Sequence, residues 1–221
     1  MDAPLAADDA RSRHRREQAA AFDQIGPRYQ ETFAGNDGQR DVLEVLLRRL
    51  HAGARVLDVG CGSGLPTTRA LVDGGCTVTG IDISPVMLEL ARRNVPAATF
   101  LRCDVRDVDG RLESFDAIVA LFTLLMLPRA EITQTLVRFR ECLRPEGLLV
   151  LAMVEADVDD APYSLLDAPA RISGWPRHEL RRVLAEAGFT VWVEDVRLYE
   201  PAAPADREVQ IFLIAEVTPG L

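Results

Sequence analysis

The sequence has 221 residues, a formal net charge of −9 and a hydrophobic content of 48%, which suits one α/β domain with a full core. No apolar run reaches the ~18 residues of a membrane span and the N-terminus has no apolar signal core, so we predict a cytoplasmic protein without a membrane partner. The negative charge repels phosphate backbones, so we predict a small-molecule substrate and no nucleic acid partner. All 25 basic residues are arginine, which excludes lysine-dependent chemistry such as a P-loop.

The N-terminal part of the chain is predicted to form a helical cover over residues 11–50. An arginine-rich helix is expected at 11–21, with a solvated polar face. A second helix, at 39–50, carries leucine and valine at helical spacing and should pack on a sheet. The segment between them has a Gly-Pro step with aromatic neighbours, which favours an ordered flap that includes Phe22 and Tyr29.

Strands and helices then alternate, which predicts a parallel sheet with helices on both faces. The expected strands lie at 55–59, 77–81, 98–102, 116–121 and 147–153, and the helices between them at 64–73, 85–94 and 130–143. A helix at 176–187 and strands at 189–199 and 208–217 complete a single domain over residues 1–221. The segment 155–174 is predicted as a loop that covers a substrate site, because connections in compact domains have a median of only ~4 to 6 residues.

A glycine-rich loop follows the first strand of this series. The strand ends in Asp58 and continues directly into Gly60, Gly62 and Gly64, in a Gly-x-Gly-x-Gly pattern. Such a loop at the carboxyl end of a parallel strand lets a ligand approach backbone N–H groups, because glycine has no Cβ and tolerates positive φ. No lysine follows the loop, so the ligand is not predicted to be a nucleoside triphosphate.

The run from Arg55 to Gly64 resembles the first motif of the class I S-adenosylmethionine-dependent methyltransferases. Three further segments follow in the order of that family, so that the resemblance covers about residues 54–154. It implies that Asp82, at the tip of the second strand, accepts hydrogen bonds from both ribose hydroxyls of the cofactor. It also implies that Asp104 accepts a hydrogen bond from the adenine amine, and that the fourth strand opens beside the reactive methyl group at Leu121.

This resemblance implies a Rossmann-like, doubly wound α/β fold with a seven-stranded sheet in the order 3-2-1-4-5-7-6, whose last strand is antiparallel. It also implies S-adenosyl-L-methionine as the cofactor. The residues predicted to bind the cofactor are Tyr29, Asp58, Gly60, Cys61, Gly62, Gly64, Asp82, Ile83, Met87, Asp104, Val105 and Leu121. The residues predicted to contact the acceptor are Phe22, Thr123, Met126, Trp175 and His178.

No catalytic residue and no metal site are predicted. Many members of the resembled family carry a histidine shortly after the fourth strand, and the run from Phe122 to Pro128 has none. The four cysteines are far apart without a Cys-x-x-Cys pair and the three histidines are scattered, so a metal site is not indicated. Ser84 and Pro85 are interpreted as an N-cap and a first helical residue, which is a structural role.

The leading hypothesis is a methyltransferase that acts on a small molecule, by in-line transfer to an oxygen, nitrogen or carbon nucleophile. Positioning alone can supply about 7–11 kcal/mol of barrier reduction, so a general base is not required. The alternative is a protein that keeps the fold and the cofactor but catalyses another reaction, such as a cyclisation, or acts as a regulator. A nicotinamide oxidoreductase is disfavoured, because Leu65 stands where the last glycine of Gly-x-Gly-x-x-Gly is expected.

The sequence leaves the acceptor, its nucleophilic atom and the oligomeric state open. The absence of lysine and the abundance of alanine and arginine are associated with a high-GC bacterial source, where such enzymes often modify secondary metabolites. We also expect residues 22–33 and 155–174 to form a mobile cover that orders when the cofactor and the acceptor are both bound.

Overall fold

In the part of the chain that the structure describes, three helices precede the first strand. The structure is a computed structural model that describes residues 16–33, 35–108, 114–200 and 207–218. The helices are α1 (residues 16–25), α2 (Pro27–Thr32) and α3 (Asp37–Leu47). Helix α1 continues past the predicted end at residue 21, and residues 11–15 of that prediction lie outside the described ranges. The predicted flap is therefore mostly helical.

Seven of the nine strands in the described residues form one mixed sheet. In chain order the strands are β1 (Arg55–Val59), β2 (Thr77–Asp82), β3 (Thr99–Arg102), β4 (Phe115–Leu121), β5 (Leu143–Val154), β6 (Val158–Leu165), β7 (Ala168–Gly174), β8 (Phe189–Tyr199) and β9 (Glu208–Val217). The sheet order is β3-β2-β1-β4-β5-β9-β8, and β9 is antiparallel to both of its neighbours. Since β8 and β9 are the sixth and seventh strands of this sheet along the chain, the predicted order is confirmed.

Four more helices pack with α3 on the two faces of the sheet. They are α4 (Thr67–Asp73), α5 (Pro85–Asn94), α6 (Arg129–Cys142) and α7 (Arg177–Glu186). One apolar core lies beneath α6 and α7 and contains Phe139 and Leu184, and a second lies beneath α3 and α4 and contains Leu46 and Leu71. Strands β4 and β5 contribute long runs of buried residues to both cores, as expected for strands that are covered on both faces.

The predicted loop at residues 155–174 is a β-hairpin, so this expectation was wrong. Strands β6 and β7 pair antiparallel, and the turn residues Leu166 and Asp167 have φ values of 50° and 69°. Two successive residues with positive φ give a turn the twist that a short hairpin needs. Leu165 and Leu166 also pack against Ile25 of α1, and this burial stabilises the hairpin.

The N-terminal helices are joined to the rest of the domain by polar contacts. The Ser84 hydroxyl accepts a hydrogen bond from the Met87 backbone N–H at 3.1 Å, so its predicted N-cap role is confirmed. The same hydroxyl donates to the Asp23 carboxylate in α1. In α2, Arg28 lies 3.4 Å from Asp167 in the hairpin turn. Helices α1 and α2 and the hairpin are therefore linked to each other and to the start of α5.

Candidate active site

Two adjacent cavities lie at the carboxyl edge of the parallel strands. The larger cavity has a volume of about 720 Å³ and the smaller one about 90 Å³. Their shared wall consists of Tyr29, Gly60, Gly62, Leu121, Phe122 and Met126. Open α/β sheets bind ligands outside the carboxyl ends of their strands, and small-molecule sites typically occupy about 300–1,000 Å³. The larger cavity therefore has the position and the size of a ligand site.

The three glycines of the loop have different structural roles. All three have positive φ, at 66° for Gly60, 52° for Gly62 and 77° for Gly64. A Cβ on Gly60 would overlap the side chain of Thr123, and a Cβ on Gly64 would lie 3.1 Å from Val95 in the loop after α5. A Cβ on Gly62 would meet no atom within 4 Å. Only Gly62 therefore leaves its backbone open to a ligand, whereas the other two glycines allow close packing.

Thr123 supports the glycine loop from below. Its hydroxyl donates a hydrogen bond to the Val59 carbonyl at 2.8 Å, which joins the ends of β1 and β4. Its side chain also fills the space beneath Gly60. Thr123 also lines the smaller cavity. Its observed contacts are structural, and its contact with the acceptor stays a prediction.

Asp82 holds the glycine loop against the tip of β2. One carboxylate oxygen accepts the backbone N–H of Gly62 at 2.9 Å, and the other accepts that of Ser84 at 2.8 Å. Burial raises the pKa of Asp82, and these two donors act against that shift. The Ile83 backbone N–H is a third donor that acts in the same direction, and because a carboxylate has about four lone-pair sites, Asp82 keeps acceptor capacity for a ligand in the smaller cavity.

Asp104 is fixed in place by a buried arginine. The guanidinium of Arg106 donates to both carboxylate oxygens of Asp104, at 2.9 and 2.7 Å, and it donates to Glu131 of α6 at 3.1 Å. The side chains of Asp104 and Arg106 are only 5% and 3% exposed. A bidentate pair of this kind sets the plane of the carboxylate, so Asp104 presents a fixed acceptor at the smaller cavity.

Asp58 is buried in the wall of the larger cavity. It is 3% exposed and accepts a hydrogen bond from the Thr68 hydroxyl at 2.5 Å. Burial raises the pKa of Asp58 to about 7, because the charged carboxylate loses its hydration, and the nearby charge of Asp82 acts in the same direction. Asp58 therefore carries a proton through most of the acidic range.

We expect Asp58→Asn to remove a pH-dependent contribution to stability. Because the pKa in the folded protein is above that of an unfolded aspartate, the folded state holds a proton that the unfolded state releases. This contribution is present at low pH and is lost as the pH rises through about 7. Between pH 5.5 and 8 the wild type should lose about 2 kcal/mol relative to Asp58→Asn in urea unfolding. A stability difference that does not vary with pH would show that Asp58 is ionised throughout.

A chain of hydrogen bonds forms the polar floor of the larger cavity, which we define as Asn36, Gln39, Thr67, Glu208 and Gln210. Gln210 donates to the Glu208 carboxylate at 2.7 Å, and Asn36 donates to the Gln210 side-chain oxygen at 2.8 Å. Gln39 donates its backbone N–H to Asn36 at 3.0 Å and its side-chain amide to Thr67 at 2.7 Å. The floor therefore connects the start of β9 to the starts of α3 and α4.

Our sequence analysis missed the polar floor, although the predicted antiparallel strand contained the signal. Because β9 runs antiparallel to β5, its first residues lie where the parallel strands end, and Gln210 is paired with Val154 at the end of β5. Side chains alternate along a strand, so Glu208, Gln210 and Phe212 share one face. An acidic and an amide residue at the start of a final antiparallel strand thus indicate a ligand-facing position.

Aromatic residues line both cavities. The ring of Tyr29 lies 6.0 Å from that of Phe22 and 4.8 Å from that of Phe33, and burial raises the pKa of the Tyr29 hydroxyl. Phe122 has a φ of 57° and packs edge to face on Phe212 at 5.6 Å. Our sequence analysis did not predict Phe122 as a cavity residue, because no local sequence pattern predicts a positive φ at a phenylalanine. The result is an aromatic boundary between the two cavities.

Two residues predicted for the acceptor side line neither cavity. Gly174, the last residue of β7, lies against the Val154 backbone at the end of β5, so the chain is packed against the sheet immediately after the hairpin. Trp175 is consequently 6% exposed within the core beneath α6 and α7, with the Arg129 guanidinium 5.1 Å from its ring. His178 is exposed at the start of α7. The hairpin instead contributes Tyr163, Leu165, Ile172 and Ser173 to the larger cavity.

The other predicted residues lie mostly around the smaller cavity. Its lining includes Phe22, Tyr29, Gly60, Gly62, Asp82, Ile83, Met87, Asp104, Val105, Leu121, Thr123 and Met126. Cys61 lines the larger cavity and packs with Leu88 and Phe100, and burial raises the pKa of its thiol, which disfavours a reactive thiolate. Within the described ranges there is no grouping of His, Cys, Asp and Glu suited to a metal ion, and no helix with the length and hydropathy of a membrane span.

Comparisons with known proteins show that the chain is similar to methyltransferases. The chain matches a family model described as a methyltransferase domain over residues 56–147, which include the glycine loop, Asp82 and Asp104. It is 35% identical over 142 residues to a malonyl-[acyl-carrier protein] O-methyltransferase of Enterobacter lignolyticus, a match that covers 63% of this chain and 54% of that protein. It is 28% identical over 158 residues to an uncharacterised methyltransferase of Oceanobacillus iheyensis, covering 69% of this chain and 74% of that protein.

A solved structure shares the fold over most of the chain. It is the 1,6-didemethyltoxoflavin-N1-methyltransferase of Burkholderia thailandensis, with bound 1,6-didemethyltoxoflavin and S-adenosylhomocysteine. The TM-score is 0.70 at 24% sequence identity, and the match covers 91% of this chain and 88% of that one. This likeness concerns the fold, and the chain spans only about half the length of the Enterobacter relative.

Proposed function

We propose that this chain is a class I S-adenosylmethionine-dependent methyltransferase that transfers a methyl group from S-adenosyl-L-methionine to a small-molecule acceptor, and the match to the methyltransferase domain model and the similarity to a named methyltransferase support this proposal. The observation that carries the proposal is that Asp82 and Asp104 line one cavity together with Gly62, whose missing Cβ leaves open space. These residues are separated along the chain but follow three adjacent strands, so the sheet brings them together.

The chemistry of these residues fits the cofactor. The Asp82 carboxylate can accept hydrogen bonds that the two ribose hydroxyls donate. The Asp104 carboxylate, held by Arg106, can accept a hydrogen bond from the adenine amine. The smaller cavity, at about 90 Å³, has less room than a small-molecule site of about 300 Å³ or more. We therefore propose that α1 moves outward on binding, which breaks the contact between the Gln18 side-chain amide and the Met126 carbonyl.

The proposed reaction depends on positioning. When bound, the cofactor supplies an electrophilic methyl group on a sulfonium ion. The chain contributes the shared wall, where Tyr29 and Phe122 face both cavities and shield the reacting atoms from water. The larger cavity holds the acceptor, and its nucleophile meets the methyl group where the two cavities adjoin beside Tyr29 and Phe122. Alignment of this kind is the main source of rate enhancement in an in-line displacement.

A small acceptor is supported by the volume of the larger cavity, about 720 Å³, which is in the range of small-molecule sites. The Burkholderia enzyme is named for methylation of 1,6-didemethyltoxoflavin, and the Enterobacter relative for a malonyl group on an acyl-carrier protein. These acceptors differ, so the substrate has to be inferred from this chain's own residues. We also propose a cytoplasmic location and a role in bacterial secondary metabolism, both supported by the composition of the sequence.

Calorimetry with S-adenosylhomocysteine tests the proposed function through Asp82. We expect the wild type to bind this product and to bind NAD much more weakly. Asp82→Ala should weaken product binding at least tenfold, because a hydrogen bond to a charged acceptor contributes about 1.5–3 kcal/mol. Asp195→Ala, on β8 outside both cavities, is the control and should leave the affinity unchanged.

Failure of the wild type to bind S-adenosylhomocysteine would refute the proposed function. Unchanged affinity in Asp82→Ala would instead remove Asp82 from the binding site. A panel of small molecules incubated with S-adenosylmethionine then distinguishes the two hypotheses that keep the cofactor. A methylated product supports methyl transfer, and binding without any methylated product supports the alternative reaction or a regulatory role.

A further inference from the structure

The larger cavity combines apolar walls with the polar floor. Its apolar lining includes Phe33 at the end of α2, Leu125 in the short 3-10 helix Leu124–Met126 after β4, and Tyr163 and Ile172 of the hairpin. The polar floor lies along β9 and the starts of α3 and α4, and it ends at Glu208. A molecule that fits this space has an apolar body and at least one polar group directed at the floor.

The direction of the hydrogen bonds in the polar floor is set by a backbone N–H group. The Asn36 side-chain oxygen accepts the Gln39 backbone N–H, so the Asn36 amide group must donate towards Gln210. The Gln210 side-chain oxygen is the acceptor in that contact, so its amide group faces Glu208 and donates to it. Glu208 is thus the final acceptor of the chain. A ligand that meets its carboxylate has to bring a donor.

The charges around the cavity also disfavour an anion. The basic residues in its lining are Arg69 and Arg207, and both are exposed. The Arg69 guanidinium donates to the Asn94 carbonyl, and Arg207 lies 2.7 Å from Glu200. Among the lining residues that the structure describes, the buried and half-buried ionisable groups are the carboxyl groups of Asp58 and Glu208, the Cys61 thiol and the Tyr29 hydroxyl, and none of them is a base. Burial raises the pKa of Glu208, so its charged form already lacks part of its hydration.

We propose that Glu208 selects the acceptor in the larger cavity: an apolar, ring-bearing amine or alcohol that donates an N–H or O–H to the carboxylate, and not a carboxylic acid or a phosphate ester. This inference rests on the proposed function, which places the acceptor in the larger cavity. An ammonium or hydroxyl group satisfies the free acceptor capacity of Glu208. An anionic group would lie near like charge without a buried base to pair with it, which is unfavourable.

Three probes with the same ring test this inference in the protein saturated with S-adenosylhomocysteine. The probes are naphthalen-2-ylmethylamine, naphthalen-2-ylmethanol and naphthalene-2-carboxylate, and their dissociation constants are measured by titration with saturation-transfer NMR. We expect the wild type to bind the amine and the alcohol at least ~10-fold more tightly than the carboxylate, because only the amine and the alcohol can donate a hydrogen bond to the Glu208 carboxylate.

Glu208→Gln keeps the size of the side chain and one acceptor oxygen but removes the charge. We expect it to reduce the preference for the amine over the carboxylate to less than ~3-fold, with the affinity for S-adenosylhomocysteine unchanged. Glu186→Gln, on the exposed side of α7, is the matched control and should retain the wild-type preference. If Glu208→Gln does not fold, the affinities of the three probes for the wild type still test the inference.

Three results would overturn the inference. They are a carboxylate that binds the wild type as tightly as the amine, a Glu208→Gln variant with the wild-type preference, and no binding of either the amine or the alcohol at their solubility limit. The proposed function is tested separately by the binding of S-adenosylhomocysteine itself. If this product binds and the probes are not discriminated, only the role of Glu208 fails.

Discussion

Gly62→Val is expected to abolish binding of S-adenosylhomocysteine in a domain that stays folded. The Cβ of residue 62 would meet no protein atom within 4 Å, so the valine side chain would occupy the space in which we propose the cofactor lies. The φ of 52° adds backbone strain of about 1–3 kcal/mol, which is less than the stability of a typical domain. Calorimetry should detect no binding at ~100 times the wild-type dissociation constant, and circular dichroism should show a folded protein.

Gly75→Val is the matched control for this backbone strain. Gly75 has a φ of 85° with no atom within 4 Å of its Cβ position, and it lies in the turn between α4 and β2, outside both cavities. Both variants should lose similar stability, but only Gly62→Val should lose binding. Gly60→Val is expected to disrupt the domain itself, because its side chain would overlap Thr123. Binding by Gly62→Val within tenfold of the wild type would contradict the proposed position of the cofactor.

Arg106→Leu should destabilise the protein by about 3–5 kcal/mol in urea unfolding. The substitution leaves the Asp104 carboxylate buried without its bidentate partner and removes the contact between Arg106 and Glu131. A buried charge without compensation costs far more than an exposed one.

Arg93→Leu is the exposed counterpart of this change. Arg93 also pairs with a carboxylate, that of Glu89, but the two side chains are 70% and 64% exposed. Water replaces the lost contact there, so we expect a change within about 0.5 kcal/mol. If Arg106→Leu were no more destabilising than Arg93→Leu, the contacts of Arg106 would not be what fixes Asp104.

The regular elements were predictable because their signals are local. Helix α5 has the predicted bounds, since Ser84 caps it and Pro85 fits its first position. Strands β8 and β9 also have the predicted bounds. The hairpin was missed because its turn uses Leu166 and Asp167 at positive φ, where glycine or asparagine is the usual signal. Its stability comes from packing on α1, which a local pattern does not contain.

The site was predictable where it follows from the ends of parallel strands. Asp58, Asp82 and Gly62 lie where β1 and β2 end, so the sheet order alone brings them to one edge. Trp175 and His178 were placed near the site because the preceding segment was expected to be a loop, and they line neither cavity. Glu208 was missed because our sequence analysis did not follow the consequence of the predicted strand direction, which places the first residues of β9 where the parallel strands end.

The most direct test of the proposed cofactor site is a crystal structure of the protein with S-adenosylhomocysteine. Our account predicts that the Asp82 carboxylate accepts hydrogen bonds from the ribose hydroxyls and that Asp104 accepts one from the adenine amine. It also predicts that the Gln18 side chain leaves the Met126 carbonyl as α1 moves outward. Product bound without contact to Asp82 and Asp104, or bound elsewhere on the domain, would contradict the account.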